Sequence, residues 1–320
     1  MSHVLAVTGA NGFVGRALCA EAVKRGMAVR GITRLPCNLS PGVENVAVGN
    51  VDGDTQWERA LVGCDVVVHL AARVHVMHDK SRDPLAEFRR VNTQGTIRLA
   101  QSAVEAGVRR LVNVSSIGVN GRSTRDDREF TDQDVPDPHN PYSLSKWEAE
   151  QALKPVALAG AIEVVTVRPP LIYGPGVGGN YLRLLGAVYR GIPLPLGVTR
   201  NSRDLLFVGN LADFLIVCAS HPAASGNTYL VSDGTPVSTH TLLRGLARAL
   251  GVKARLFPVH PFLLQTLGNL TGYSAECERL LSSLRVDNSK VCRELGWYPP
   301  FTLRDGLQAT ADWYRAERQK

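Results

Sequence analysis

Short apolar runs alternate with amphipathic stretches through the first half of the chain. Val4–Thr8 is apolar and is stopped by Gly9, and a helical period then runs from Phe13 to Arg25 until Gly26 breaks it. Met27–Thr33, Val43–Val48, Cys64–Ala72, Arg110–Ser115 and Ile162–Arg168 read as five further strands. Between them, Thr55–Val62, Pro84–Ala106 and Tyr142–Ala159 carry helical periods, the second stopped by Gly107. Strands apolar on both faces belong to a sheet covered on both sides. Their alternation with helices predicts an α/β fold built on a doubly wound parallel sheet. After Pro169 the texture changes: glycine and proline are dense as far as Pro195, and the later elements are shorter. Residues 1–170 are therefore expected to form the sheet domain and 171–320 a smaller C-terminal lobe, with the run near Tyr229–Val231 able to return to the main sheet.

Composition narrows the class. The chain has 320 residues, 44% of them hydrophobic and 20% charged, which suits a globular protein with a substantial core. No stretch reaches the about 18 uncharged apolar residues that span a bilayer. The N-terminal residues Ser2 and His3 lead straight into a strand, without the basic and long apolar regions of a secretory signal, so a cytoplasmic location is expected. The six cysteines form no CxxC pair and have no histidine at metal-ligand spacing. They are expected to be buried thiols in a reducing compartment, with no metal bound. The net charge of +7 comes from scattered rather than clustered Lys and Arg, which argues against nucleic acid and suits an anionic small ligand.

The first chemical signal lies between the first strand and the first helix. Gly9-Ala10-Asn11-Gly12-Phe13-Val14-Gly15 is a G-x-x-G-x-x-G turn. In that position the first glycine permits a tight turn, the second lets the backbone approach a pyrophosphate, and the third lets the helix pack on the strand. The helix N-terminus then presents free N–H groups to phosphate. The end of the second strand selects the dinucleotide. Val29-Arg30-Gly31-Ile32-Thr33-Arg34 contains no acidic residue to hold a ribose diol. Arg34 can grip a 2′-phosphate and Thr33 can add a hydroxyl, so NADP(H) is favoured over NAD(H).

The second signal is Tyr142-Ser143-Leu144-Ser145-Lys146, which sets a tyrosine and a lysine four apart on one helical face. Ser115-Ser116 ends the fifth strand, at the sheet edge where ligands bind in such folds. A nearby ammonium would lower the phenol's pKa. Tyr142 could then exchange a proton with a substrate oxygen while hydride moves, with a serine hydroxyl steadying that oxygen.

With the glycine turn, these residues resemble the extended short-chain dehydrogenase/reductase family, in its NAD-dependent epimerase/dehydratase branch. Further landmarks are His69-Leu70-Ala71-Ala72, Val91-Asn92-Thr93-Gln94-Gly95-Thr96, Arg168 to Gly176, Arg203 to Val208, Val286 to Lys290 and Leu295 to Pro299. The resemblance implies a Rossmann-type fold and makes Ser116 rather than Ser115 the active serine. It implies that Leu70, Ala71, Ala72 and Asn92 line the cofactor path, with Asn50-Val51 at the adenine and Pro170 behind the nicotinamide. Asn180 and Arg203 match residues that hold a nucleotide-sugar diphosphate. It also implies a homodimer through the helices Pro84–Ala106 and Tyr142–Ala159; the apolar face Phe88, Val91, Ile97 and Leu99 of the first suits such a contact and equally suits packing on the sheet. The chain departs from the family at Asn120-Gly121, where Tyr-Gly is common, and at Leu171, where a polar asparagine is frequent. The charged segment Arg122–Asp134 is expected to be a surface loop over the substrate.

Three activities fit. One is reduction of a 4-keto UDP-sugar with NADPH, as in bacterial reductases of UDP-4-keto-6-deoxy-N-acetylhexosamine that serve surface polysaccharide synthesis. Another is 4-epimerisation of a UDP-hexose or UDP-N-acetylhexosamine with retained NAD. The third is non-catalytic dinucleotide binding, which the intact Ser116, Tyr142 and Lys146 disfavour. Dehydratases of this branch carry acidic residues after the active serine or threonine, and Ser116-Ile117-Gly118 has none. Arg34 tips the balance to the reductase.

Overall fold

The computed structural model describes residues 4–74, 81–125, 128–272 and 274–319; Ser2, His3 and, within the charged segment, Asp126 and Asp127 lie outside them. The strands are β1 (Val4–Thr8), β2 (Ala28–Thr33), β3 (Val43–Ala47), β4 (Val66–His69), β5 (Arg110–Val114), β6 (Glu163–Arg168), β7 (Leu171–Tyr173), β8 (Leu205–Phe207) and β9 (Thr228–Leu230). Seven of them form one parallel sheet in the order β3-β2-β1-β4-β5-β6-β9, while β7 and β8 pair separately. The run near Tyr229 does return to the main sheet, where Thr166–Arg168 pair with Thr228–Leu230. Strand order reverses between β1 and β4, which opens a crevice at their C-terminal ends.

Both faces of the sheet are covered. Helices α1 (Phe13–Lys24) and α7 (Val208–Ser220) bury Leu18, Ala22, Phe214 and Leu215 against Val7, Val68, Val112 and Val165. On the other face, α2 (Glu58–Leu61), α4 (Gly95–Glu105) and α5 (Pro141–Leu158) bury Leu61, Leu99 and Leu153 against Val67 and Leu111. A second core lies among α6 (Gly179–Tyr189), α8 (Thr239–Leu250) and α12 (Leu303–Gln319), around Leu185, Leu243 and Ala311. Helices α9 (Pro261–Thr271) and α10 (Ser274–Leu281) precede α11 (Ser289–Leu295).

Several elements differ from the sequence reading, each for a local reason. The expected helix Thr55–Val62 is the single turn α2, because the Thr55 hydroxyl donates to the Asn50 carbonyl and holds the preceding residues in a turn. The fourth strand ends at His69, where Leu70 and Ala71 turn their N–H groups onto Thr8 Oγ1. The long helix Pro84–Ala106 is α3 (Pro84–Phe88), a π-helical turn over Arg89–Gln94, and α4. Of the four apolar residues that suited either a dimer face or the sheet, Leu99 packs on the sheet and Phe88 lies edge-on to Tyr142. Only Val91 and Ile97 stay half-exposed. All six cysteines are unpaired, but Cys37, Cys277 and Cys292 are half-buried rather than buried.

Candidate active site

The glycine turn is an anion cradle made of backbone. Gly9 has φ +67°, and a Cβ there would sit 3.0 Å from Ala71 N. At Gly15 a Cβ would lie 2.2 Å from the Gly9 carbonyl oxygen, which is impossible without moving the helix. Gly12, the N-cap of α1, has no side chain to cap the helix, so the first turn's N–H groups stay open to an anion. Asn11 and Gly12 are exposed, and Phe13 and Val14 are half-buried against the C-terminal core. A pyrophosphate fits this cradle, where any Cβ at Gly15 would not. Leu70, Ala71 and Ala72 lie beside it, tied to Thr8.

At the end of β2 the charge is unopposed. Arg34 is exposed and forms no ion pair among the described residues. Glu44, the acidic residue of β3, is drawn to Arg30 at 2.8 Å. Thr33 acts differently from the sequence reading: it is 2% exposed, and its hydroxyl donates to Leu35 O while accepting from Asn45 Nδ2. It shapes the turn that carries Arg34 rather than offering a free hydroxyl. Asn50 is exposed just beyond β3, and Val51 packs against Gly95, whose missing Cβ would come within 2.8 Å of it.

Ser116, Tyr142 and Lys146, the residues expected to handle the proton, meet over β5. Asn140 caps α5 in a reciprocal box with Ser143, which fixes the first turn and with it Tyr142. The Tyr142 hydroxyl shares a hydrogen bond with Ser116, and Ser116 Oγ also accepts from Gly118 N at 3.1 Å. Neighbouring Ser115 has a buried hydroxyl without a partner, so Ser116 is the serine joined to Tyr142. Burial pushes the Tyr142 phenol up to about 12. The expected lowering by Lys146 does not occur, because that ammonium donates to Val114 O at 2.7 Å. Lys146 is itself only 3% exposed, and burial brings it down to about 8 against the opposing pull of Glu150.

A buried relay, not visible in any local spacing, braces this centre. Thr8 Oγ1 lies 2.8 Å from His69 Nδ1, His69 Nε2 lies 3.1 Å from Thr96 Oγ1, and Thr96 donates to Asn92 O. Because Thr96 spends its proton on Asn92, it must accept from His69 Nε2–H. His69 Nδ1 then accepts from Thr8, whose oxygen remains free for Leu70 and Ala71 N–H. Burial and the nearby Lys146 charge hold His69 neutral, with its pKa brought down to about 3. Asn92 is fully buried: it accepts from Arg73 N and donates to Arg73 O and Ser145 Oγ. It ties the loop after β4 to the helix bearing Tyr142 and turns no polar atom outward.

Behind Tyr142, Arg168 and Glu150 form a buried ion pair at 2.5 Å, and Arg168 also donates to Asn120 Oδ1 at 3.0 Å. Asn120, one of the departures from the family pattern, thereby joins this pair to Thr131 O. The described residues of the segment Arg122–Asp134 are irregular and mostly at the surface, as expected, but two of them anchor it. Phe130 is buried with Ile117, Leu284 and Val286, and Thr124 N donates to Ser283 O. Pro170 is buried beside Pro169, whose carbonyl accepts from Ile117 N.

On the C-terminal side, Arg203 Nη1 donates to Ser282 O and Oγ. Burial and the neighbouring Arg279 bring its guanidinium down to about 10. No carboxylate pairs with it among the described residues. Arg279, also close enough to His139 to lower it, is a cation the motif reading missed. Asn180 stands in the first turn of α6 and accepts from Arg183.

A glycine cradle at a switch point, with Ser116, Tyr142 and Lys146 on the adjacent strand ends, is the arrangement of a dinucleotide-dependent enzyme. The NAD dependent epimerase/dehydratase family model matches residues 5–232. The chain belongs to this family of enzymes. It is 41% identical to UDP-glucose 4-epimerase of Vibrio cholerae over 97% of this chain and 95% of the relative. It is 26% identical to N-acetyl-alpha-D-glucosaminyl-diphospho-ditrans,octacis-undecaprenol 4-epimerase of Escherichia coli O157:H7, over 98% and 96%. The structure of MoeE5 in complex with UDP-glucose and NAD matches with a TM-score of 0.78 at 27% identity, covering 99% of each chain.

Proposed function

We propose that this enzyme is an NADPH-dependent reductase of a 4-keto sugar nucleotide. The substrate is UDP-4-keto-6-deoxy-N-acetylhexosamine and the product UDP-N-acetylquinovosamine or UDP-N-acetylfucosamine, for surface polysaccharide synthesis. The observation that carries this reading is the unopposed Arg34 at the end of β2, where the nearest strand carboxylate is spent on Arg30. A guanidinium there suits a 2′-phosphate and an acidic clamp is missing.

Gly9, Gly12 and Gly15 with the open end of α1 would hold the pyrophosphate, and Asn50 and Val51 the adenine. When bound, the dihydronicotinamide supplies the hydride for the ketone carbon. Tyr142 then donates its phenolic proton to the ketone oxygen, and Ser116 donates a hydrogen bond to the same atom. A phenol held near 12 is a proton donor at neutral pH, as reduction requires. Lys146 keeps two N–H donors beyond the one given to Val114, and these suit ribose hydroxyls. Arg203 and Asn180 hold the substrate diphosphate, with Arg279 adding positive potential.

The similarity to UDP-glucose 4-epimerase of Vibrio cholerae favours a second reading, 4-epimerisation of a UDP-hexose or UDP-N-acetylhexosamine with retained NAD. Cofactor titration separates the two. NADPH should bind the apoprotein more tightly than NADH by fluorescence, and Arg34→Ala should reduce that preference by about 10- to 100-fold. Equal binding of both cofactors, unchanged in the variant, would overturn the assignment of Arg34.

A further inference from the structure

Helix α9 is turned the wrong way for a helix surrounded by water. Its sequence, Pro-Phe-Leu-Leu-Gln-Thr-Leu-Gly-Asn-Leu-Thr, contains no charged residue. Phe262 is 70% exposed, Leu263 54%, Leu267 55% and Leu270 79%. At about 100° per residue these four fall in one arc of about 140°. Leu264 and Gly268, on the opposite side, face the protein. Phe257, just before the helix, adds another exposed ring.

The chain leading into α9 is cationic, and the acidic residues nearest it, Glu276 and Glu278, lie on α10, where Glu278 is paired with Arg122. Between Gly234 and Ala275 the chain contains no aspartate or glutamate. Arg244, Arg248, Lys253 and Arg255 in this stretch are all exposed, and the first three line one groove between α8 and the segment that follows it. Arg190, on the neighbouring turn after α6, adds a fifth cation, and Gly191 beside it lies 3.6 Å from Arg255 through the position a Cβ would take. The patch is continuous with the candidate substrate side, because α9 packs on α10, which brings Glu278 to Arg122 and Arg279 towards Arg203.

An exposed apolar helix face, joined in the chain through Leu256 and Phe257 to a groove of cations that form no ion pair among the described residues, has the makeup of an interfacial membrane segment: the apolar arc enters the headgroup boundary and the cations meet anionic lipid. No helix among the described residues is long and apolar enough to cross a membrane, so such docking would be peripheral. We propose that α9, with the cations of α8 and residues 253–255, docks the enzyme on an anionic lipid bilayer, with the substrate side held close to the membrane. The proposal does not depend on whether the ketone is reduced or regenerated.

Flotation of the full-length protein with vesicles tests it. Vesicles of phosphatidylglycerol and phosphatidylethanolamine should carry the protein up the gradient, and pure phosphatidylcholine should carry about tenfold less. The triple variant Phe262→Ser/Leu267→Ser/Leu270→Ser should lose binding about tenfold or more. Arg244→Gln/Arg248→Gln/Lys253→Gln should lose the preference for anionic lipid while keeping its circular dichroism. Two results would overturn the proposal. One is a wild-type protein that stays at the bottom with anionic vesicles. The other is a triple serine variant that changes sedimentation from dimer to monomer without changing vesicle binding, which would mean that a second copy covers the face.

Discussion

The two ends of the sheet's C-terminal edge are built on opposite principles. At β1 and β2 the site is backbone and solvent: three glycines, an uncapped helix and an exposed arginine. At β5 and β6 it is side chain: the half-buried Tyr142 with the buried Lys146, Glu150, Arg168 and His69. The first end acts through shape and one free charge, so it tolerates substitution except where a Cβ is forbidden. The second acts through desolvated charges, so each member alters the protonation of the next.

That contrast can be broken from the buried end first. Tyr142→Phe removes the proposed proton donor while leaving the ring edge-on to Phe88. The rate of reduction should fall about 10²- to 10⁴-fold with cofactor binding retained, as stopped-flow absorbance would report. Glu150→Gln leaves the Arg168 guanidinium buried without its counter-charge. Urea unfolding should show a loss of about 3–5 kcal/mol, whereas the exposed pair Arg128–Asp134 should contribute less than about 1 kcal/mol.

The smallest effect is a pH shift. Lys146 is held at about 8 against an ordinary value of 10.5, so its positive charge is present below pH 8 and is lost as pH rises through that value. Dinucleotide affinity should decline above pH 8, and Lys146→Arg should move that decline upward by at least about one pH unit. The same group binds its proton more weakly in the folded than in the unfolded chain. Its contribution to stability therefore improves between pH 8 and 10.5, opposite in direction to the loss of binding. A pH-independent affinity would show that the ammonium has no part in holding the dinucleotide.

The strand and helix order was legible because sheet strands covered on both faces have a continuous apolar signature. The glycine turn was legible because its constraint is steric and local: Gly15 is a glycine because Gly9 O lies where its Cβ would be. The His69 relay was not, since Thr8, His69 and Thr96 come from separate elements and ordinary residue types. Proximity in sequence also misjudged Tyr142. Lys146 is four residues away, yet its bond to Val114 and the burial of both groups reverse the sign expected for the phenol. Arg279 and Phe130 escaped for a related reason: each sits in a charged, unremarkable stretch, and only tertiary packing brings it to Arg203 or to the core around Ile117. Arg34 stood out early because no packing was needed to see a cation where an acid is usual.

The most direct test is the cofactor balance of the reaction. Purified enzyme should be mixed with one equivalent of NADPH and excess UDP-4-keto-6-deoxy-N-acetylhexosamine, and the absorbance of the reduced nicotinamide followed. Stoichiometric loss of that absorbance, with one alcohol formed per NADPH consumed, is the result this account predicts. Interconversion of UDP-hexoses by protein that retains NAD and never consumes added cofactor would contradict it and make the enzyme an epimerase.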